Sequence, residues 1–180
     1  MARITAGIMA SAEPAVAQRL GVQLDQLALE IAGRNLILFT GATTGVPDRI
    51  ARAARARGTL CLGVSPAHNA TEHISRYALP LDACDAIIYT GFGLKGRNVV
   101  LVRSCDVVLI VAGGMGTLNE FTTAIDEGKV VGVLRGSGGV ADEIERLLPL
   151  ARNRSNVVIE SDPAKLLDQC LEIISRSSGE

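Results

Sequence analysis

Apolar positions along this chain fall in short continuous runs, and the stretches between them carry apolar residues at helical spacing. The runs lie near Ile4–Ile8, Leu36–Phe39, Leu60–Val64, Ala86–Tyr89, Val107–Val111, Val130–Leu134 and Val157–Ile159. Runs of this length without polar alternation suit strands that are covered on both faces. The helical patterns span Glu13–Ala32, Asp48–Arg57, Arg97–Ser104, Leu118–Glu127, Val140–Leu148 and Pro163–Ser175, with Pro47 and Pro163 suited to first helical turns. Strand alternating with helix predicts right-handed crossovers. The expected fold class is α/β, a doubly wound and mainly parallel sheet with helices on both faces. No repeat, linker or low-complexity block interrupts the pattern, so one domain is expected over residues 1–180. Ser65–Leu81 is the longest segment without a clear element, and reads as a loop or surface excursion.

In an open parallel sheet, ligands bind beyond the carboxyl ends of the strands, where strand order reverses. Glycine turns fall at three such ends: Gly41 and Gly45 after the second run, Gly91, Gly93 and Gly96 after the fourth, and Gly113, Gly114 and Gly116 after the fifth. Together they predict one composite site. The most informative stretch is Ala112-Gly-Gly-Met-Gly-Thr-Leu-Asn-Glu120, between a buried run and a helical pattern. Glycines let the backbone approach a ligand, and the first helical N–H groups lack intrahelical partners. With the helix dipole, those groups favour a phosphate. Thr40–Pro47 is a second turn of small residues entering a helix. Its hydroxyls and N–H groups, Thr44 and Gly45 among them, suit a phosphate or ribose as well as they suit an ordinary strand-to-helix turn.

Two other motif readings fail on their own requirements. Gly91-Phe-Gly-Leu-Lys-Gly96 matches a dinucleotide fingerprint, but the next run ends in Val111-Ala112-Gly113, without the carboxylate that would hold a ribose. As a Walker A loop, the same stretch lacks the Lys and the Ser/Thr. Arg97 follows this turn. It reads equally as a solvated first-turn residue or as a ligand-facing cation, since a cation there opposes the helix dipole. Thr117-x-x-Glu120 is a capping-box pattern, and the residues alone favour that role for Glu120 over a general base or charge stabiliser facing the cleft. His68 and His73 lack metal-site spacing and read as loop residues, and no metal or cofactor is expected. Arg49, Arg52 and Arg55 read as a solvated helix face rather than a phosphate patch.

Composition narrows the partners. The net charge is −1 and aromatic residues make up 3% of the chain, so neither a basic field nor stacking platforms for nucleic acid are expected. No run reaches membrane-spanning length, and the apolar N-terminus reads as a first strand rather than a signal peptide. Four cysteines without a CxxC pair fit a reduced, cytoplasmic setting, Cys61 and Cys105 as buried thiols.

These residues together resemble the Lonely guy family, long mislabelled as lysine decarboxylases. Its PGGxGTxxE motif is matched from Gly113 to Glu120, with Ala112 in place of the Pro. Arg97 stands where the family's Arg falls, and Thr40–Pro47 resembles a degenerate GGGxxGLM loop. The resemblance implies a Rossmann-like homodimer or homotetramer that hydrolyses nucleoside 5′-monophosphates to free base and ribose 5-phosphate. It implies phosphate binding by Gly113, Gly114, Gly116 and Thr117, with Glu120 stabilising an oxocarbenium-like ribose or activating water, and Arg97 positioning the nucleotide. Ala112 in place of Pro implies a less rigid turn. The chain is equally similar to molybdenum cofactor carrier proteins, which implies the alternative: a noncatalytic carrier or sensor of a phosphorylated pterin or nucleotide. Turnover would separate the two.

Overall fold

The computed structural model describes residues 3–151 and 154–177. Its strands are β1 (Thr5–Ala10), β2 (Ile37–Thr40), β3 (Cys61–Ser65), β4 (Ala86–Tyr89), β5 (Val107–Val111), β6 (Val130–Leu134) and β7 (Val157–Glu160). They form one sheet in the order β4-β3-β2-β1-β5-β6-β7, and every pairing is parallel. The helices are α1 (Pro14–Arg19), α2 (Gly21–Gly33), α3 (Val46–Arg55), α4 (Ala70–Ser75), α5 (Gly93–Arg103), α6 (Met115–Asp126), α7 (Val140–Leu147) and α8 (Pro163–Ser177). The expected doubly wound α/β fold is present, and each predicted strand is found close to its predicted place.

Alternation along the strands builds the two cores. On β5, Val107, Leu109 and Val111 pack with Leu24 and Ile31 of α2, Ile50 of α3 and Leu166 of α8. Val108 and Ile110 of the same strand pack on the opposite face with Leu101 of α5, Phe121 of α6 and Ile144 of α7. A strand covered on both faces has no position left for a polar residue, hence the unbroken run. Burying each of these Leu, Ile or Phe side chains contributes about 1.5–3 kcal/mol over exposure. The four cysteines are buried and unpaired, and burial pushes the Cys61, Cys105 and Cys170 thiols up to about 12.

The structure departs from the sequence reading in three places. The predicted helix Glu13–Ala32 breaks at Leu20, which closes α1 and opens α2. Gly21, next to the break, leaves room for the Arg49 guanidinium, 3.1 Å from where a Cβ would lie. Second, α5 and α6 begin earlier than predicted, because their glycines are absorbed into the helix entries rather than into longer loops. Third, Ser65–Leu81 holds the short helix α4. Its cap is Asn69, whose side chain accepts the Glu72 N–H at 2.9 Å, while the Glu72 carboxylate accepts the His68 N–H at 2.8 Å. His73 is therefore a helical residue and fully buried. Its Nε2 faces the Pro80 carbonyl at 3.0 Å and its Nδ1 faces Ser65 Oγ at 2.8 Å. A carbonyl can only accept, so the Nε2 tautomer fits, with the Ser65 hydroxyl donating to Nδ1.

Candidate functional site

Strand order reverses between β1 and β5, which pair directly although they are not consecutive. Above their carboxyl ends lies a cavity of about 440 Å³. Its walls come from four elements: Ser11–Glu13 after β1, Gly41 and Thr43 after β2, Lys95, Arg97 and Asn98 of α5, and Gly114, Gly116, Thr117 and Glu120 at the start of α6. That is the position at which an open α/β sheet gathers ligand-binding loops.

Arg97 lies beyond the first turn of α5 and is 8% exposed, so it is not a solvated first-turn residue. Its guanidinium rests against Gly41, where an added Cβ would lie 2.2 Å from Nη1. Gly41 thus makes room for the arginine. Arg97 Nη1 stands 3.6 Å from Glu120 Oε1, an ion pair beyond hydrogen-bond length. Arg97 Nε is buried without a partner in the described residues. Glu120 is 6% exposed and takes no part in a capping box. The N-cap of α6 is Gly114, three residues before Thr117, so Glu120 falls in the second turn and turns toward α5. The Asn98 amide, oriented with its nitrogen toward acceptors, donates to Glu120 Oε1 at 3.1 Å and to the Leu94 carbonyl at 3.0 Å. Burial pushes the Glu120 carboxyl up to about 7 despite the opposing pull of Arg97 and Lys95. Burial also lowers the Arg97 pKa, with Glu120 partly offsetting it.

The anion turn is built differently from the motif it resembles. Gly114 and Gly116 are exposed and Thr117 is buried, and all three line the cavity. The first N–H groups of α6 carry no side-chain cap. Gly113, at φ +90°, sits behind them; a Cβ there would lie 2.3 Å from Thr117 Oγ1. Ala112 has φ +52°, a value the proline ring forbids. The substitution of Ala for Pro therefore reflects a different turn geometry, and this turn is held by other means than a proline ring.

Thr44 and Gly45 line a neighbouring depression rather than this cavity. Thr44 Oγ1 donates to the Ala12 carbonyl at 2.7 Å, and Gly45, at φ +74°, abuts the Ala12 backbone. Both clamp the turn after β1 that carries Glu13. Arg49, Arg52 and Arg55 are engaged with Asp25, with Asp48 and Asp82, and with Asp85. Asn98, Lys95 and Ser11–Glu13 were not singled out from the sequence. The signal for Ser11–Glu13 was available, since they follow the first strand at the reversal of strand order.

A doubly wound parallel sheet with a glycine-turned helix N-terminus at its switch point defines a Rossmann-like α/β protein. The family model of the SLOG cluster4 family matches residues 3–167, and the chain belongs to that family. A protein of Archaeoglobus fulgidus is 33% identical over 105 residues, 58% of this chain; the match spans 64% of that relative's length, less than two thirds of it. The molybdenum cofactor binding protein of Rippkaea orientalis is 29% identical, with TM-score 0.78 over 97% of this chain and 99% of that one. The Moco carrier protein of Chlamydomonas reinhardtii is 25% identical, with TM-score 0.78 and the same coverage. Among the described residues no helix is long and apolar enough to cross a membrane.

Proposed function

We propose that this chain binds a phosphorylated small molecule of pterin or nucleotide size as a noncatalytic carrier or sensor. The observation that carries this reading is the buried Arg97, whose Nε has no partner and whose carboxylate neighbour is pushed toward neutrality. With the Glu120 carboxyl poised near 7, the Arg97 guanidinium beside it is a buried cation suited to an anion in this cavity. The ligand's phosphate rests between the N–H groups at the start of α6, beside Gly114, Gly116 and Thr117, and the Arg97 guanidinium, and its ring system extends toward Asn98 and Glu13. Similar structures are those of a molybdenum cofactor binding protein and a molybdenum cofactor carrier protein, which supports a phosphorylated pterin as cargo.

The second reading is a nucleoside 5′-monophosphate phosphoribohydrolase. It is favoured by Glu120, a carboxyl poised near neutral pH beside an arginine. Ionised, it would stabilise the positive charge that builds on a ribose as an N-glycosidic bond breaks. Incubation with a panel of nucleoside 5′-monophosphates and chromatography of the products decides between them. The carrier reading expects no free base, together with binding that survives Glu120→Gln. Free base that disappears in Glu120→Gln would establish the hydrolase, because a carboxylate acting in the transition state affects rate far more than binding. A homodimer or homotetramer is expected in either case, and a monomeric mass by light scattering would refute it.

A further inference from the structure

We infer that Ser137, with the glycine turn from Gly136 to Gly139, positions the anion-binding turn at the start of α6. The inference rests on the proposed anion site and adds residues that line no part of its cavity. Ser137 lies in the β6–α7 connection and is fully buried. Its hydroxyl accepts the Ala112 N–H at 2.8 Å and donates to the Leu134 carbonyl at 2.6 Å, so its single proton is placed. From the same connection, the Val140 N–H donates to the Gly113 carbonyl at 2.9 Å and the Ala141 N–H donates to the Ala112 carbonyl at 3.1 Å. The first N–H groups of α7 are thereby committed to the turn, and they draw two carbonyl dipoles onto α7 instead of leaving them free beside an anion. Gly139 lets the two segments touch: a Cβ there would lie 2.3 Å from the Gly113 oxygen. The Arg19 guanidinium, at the end of α1, donates to the Ser137 carbonyl at 2.7 Å and ties the connection to the opposite side of the cleft.

These contacts explain how Ala112 keeps a left-handed backbone, φ +52°, that an alanine does not choose unaided. Remove the Ser137 hydroxyl, and the Ala112 N–H becomes a buried donor without an acceptor. The readiest relief is for Ala112 to leave the left-handed region. That movement swings Gly113 and Gly114 and re-aims the N–H groups of Met115, Gly116 and Thr117.

Titration of the isotopically labelled chain with inorganic phosphate, followed through its backbone amide resonances, tests this. In the wild type the Met115, Gly116 and Thr117 amides shift and saturate. In Ser137→Ala the dissociation constant for phosphate rises about tenfold, as for loss of one well-aligned charged hydrogen bond. Ile144→Val, on the core face of α7, lowers the melting temperature but leaves the phosphate constant unchanged. Arg19→Met weakens phosphate in the same direction by a smaller factor, and stands in should Ser137→Ala fail to fold. Wild-type binding with unchanged constants in Ser137→Ala and Arg19→Met overturns the inference, as does an equal loss in Ile144→Val. Wild-type amides that do not respond to phosphate overturn the anion site itself.

Discussion

Gly41→Ala is expected to abolish most ligand binding while leaving the chain folded. The added methyl would lie 2.2 Å from Arg97 Nη1, 2.8 Å from Cζ and 3.0 Å from Nη2, so the guanidinium must move. It is the far end of a flexible side chain, and moving it demands no shift of backbone. The stability cost is therefore that of one extra methyl in a packed site, about 1–3 kcal/mol. The functional cost is separate. Arg97 is held by burial against Gly41 and by Glu120 at 3.6 Å, and its guanidinium lines the cavity in which the ligand is proposed to bind. Losing a charged hydrogen bond of about 1.5–3 kcal/mol weakens binding roughly 10- to 100-fold. Calorimetric titration with a phosphorylated ligand, beside thermal melts, checks both parts. Arg97→Met should match Gly41→Ala in affinity. A Gly41→Ala protein that binds as tightly as the wild type would show that Arg97 acts elsewhere than at the ligand.

Gly41 shows how far the site can be read from the chain. Its place after the second strand and the run of glycines after the fifth were legible, because strand ends and glycine turns leave a local signature. The pairing of Gly41 with Arg97 was not, since it joins residues on separate elements across the sheet. The same holds for Glu120. Thr117-x-x-Glu120 has the spacing of a capping box, but the helix starts at Gly114 and carries Glu120 into its second turn. Spacing alone cannot fix where a helix begins when glycines can either cap it or enter it. The side-chain cap that does form is Asn69, which accepts the Glu72 N–H, inside a segment whose apolar pattern was too short to announce a helix. The central strands, by contrast, were legible, because burial on both faces of β5 and β6 leaves one kind of residue to fill them.

Glu120→Gln is expected to stabilise the ligand-free protein above neutral pH and to remove a pH dependence of binding. Burial raises this carboxyl from 4.5 in the unfolded chain to about 7 in the folded one. Between those values the folded state binds more protons than the unfolded state. The stability it contributes is therefore complete below pH 4.5 and is lost as pH rises through 7. The loss is on the order of 3 kcal/mol at most, since each pKa unit is about 1.4 kcal/mol. Glutamine keeps the shape and cannot ionise. Its melting temperature should match the wild type near pH 4 and exceed it by several degrees at pH 8, a chain of this size gaining about 2–4 °C per kcal/mol. Ligand binding follows from the same charge. An anionic phosphate beside an ionised Glu120 is repelled, so binding favours the protonated carboxyl and takes up a proton. Wild-type affinity for a phosphorylated ligand should fall between pH 7 and pH 9, where the phosphate itself no longer titrates, while Glu120→Gln stays level. Parallel pH profiles in the two proteins would mean that Glu120 does not sense the ligand's charge. The phosphate would then have to sit farther along the cleft, toward Gly114 and away from Arg97.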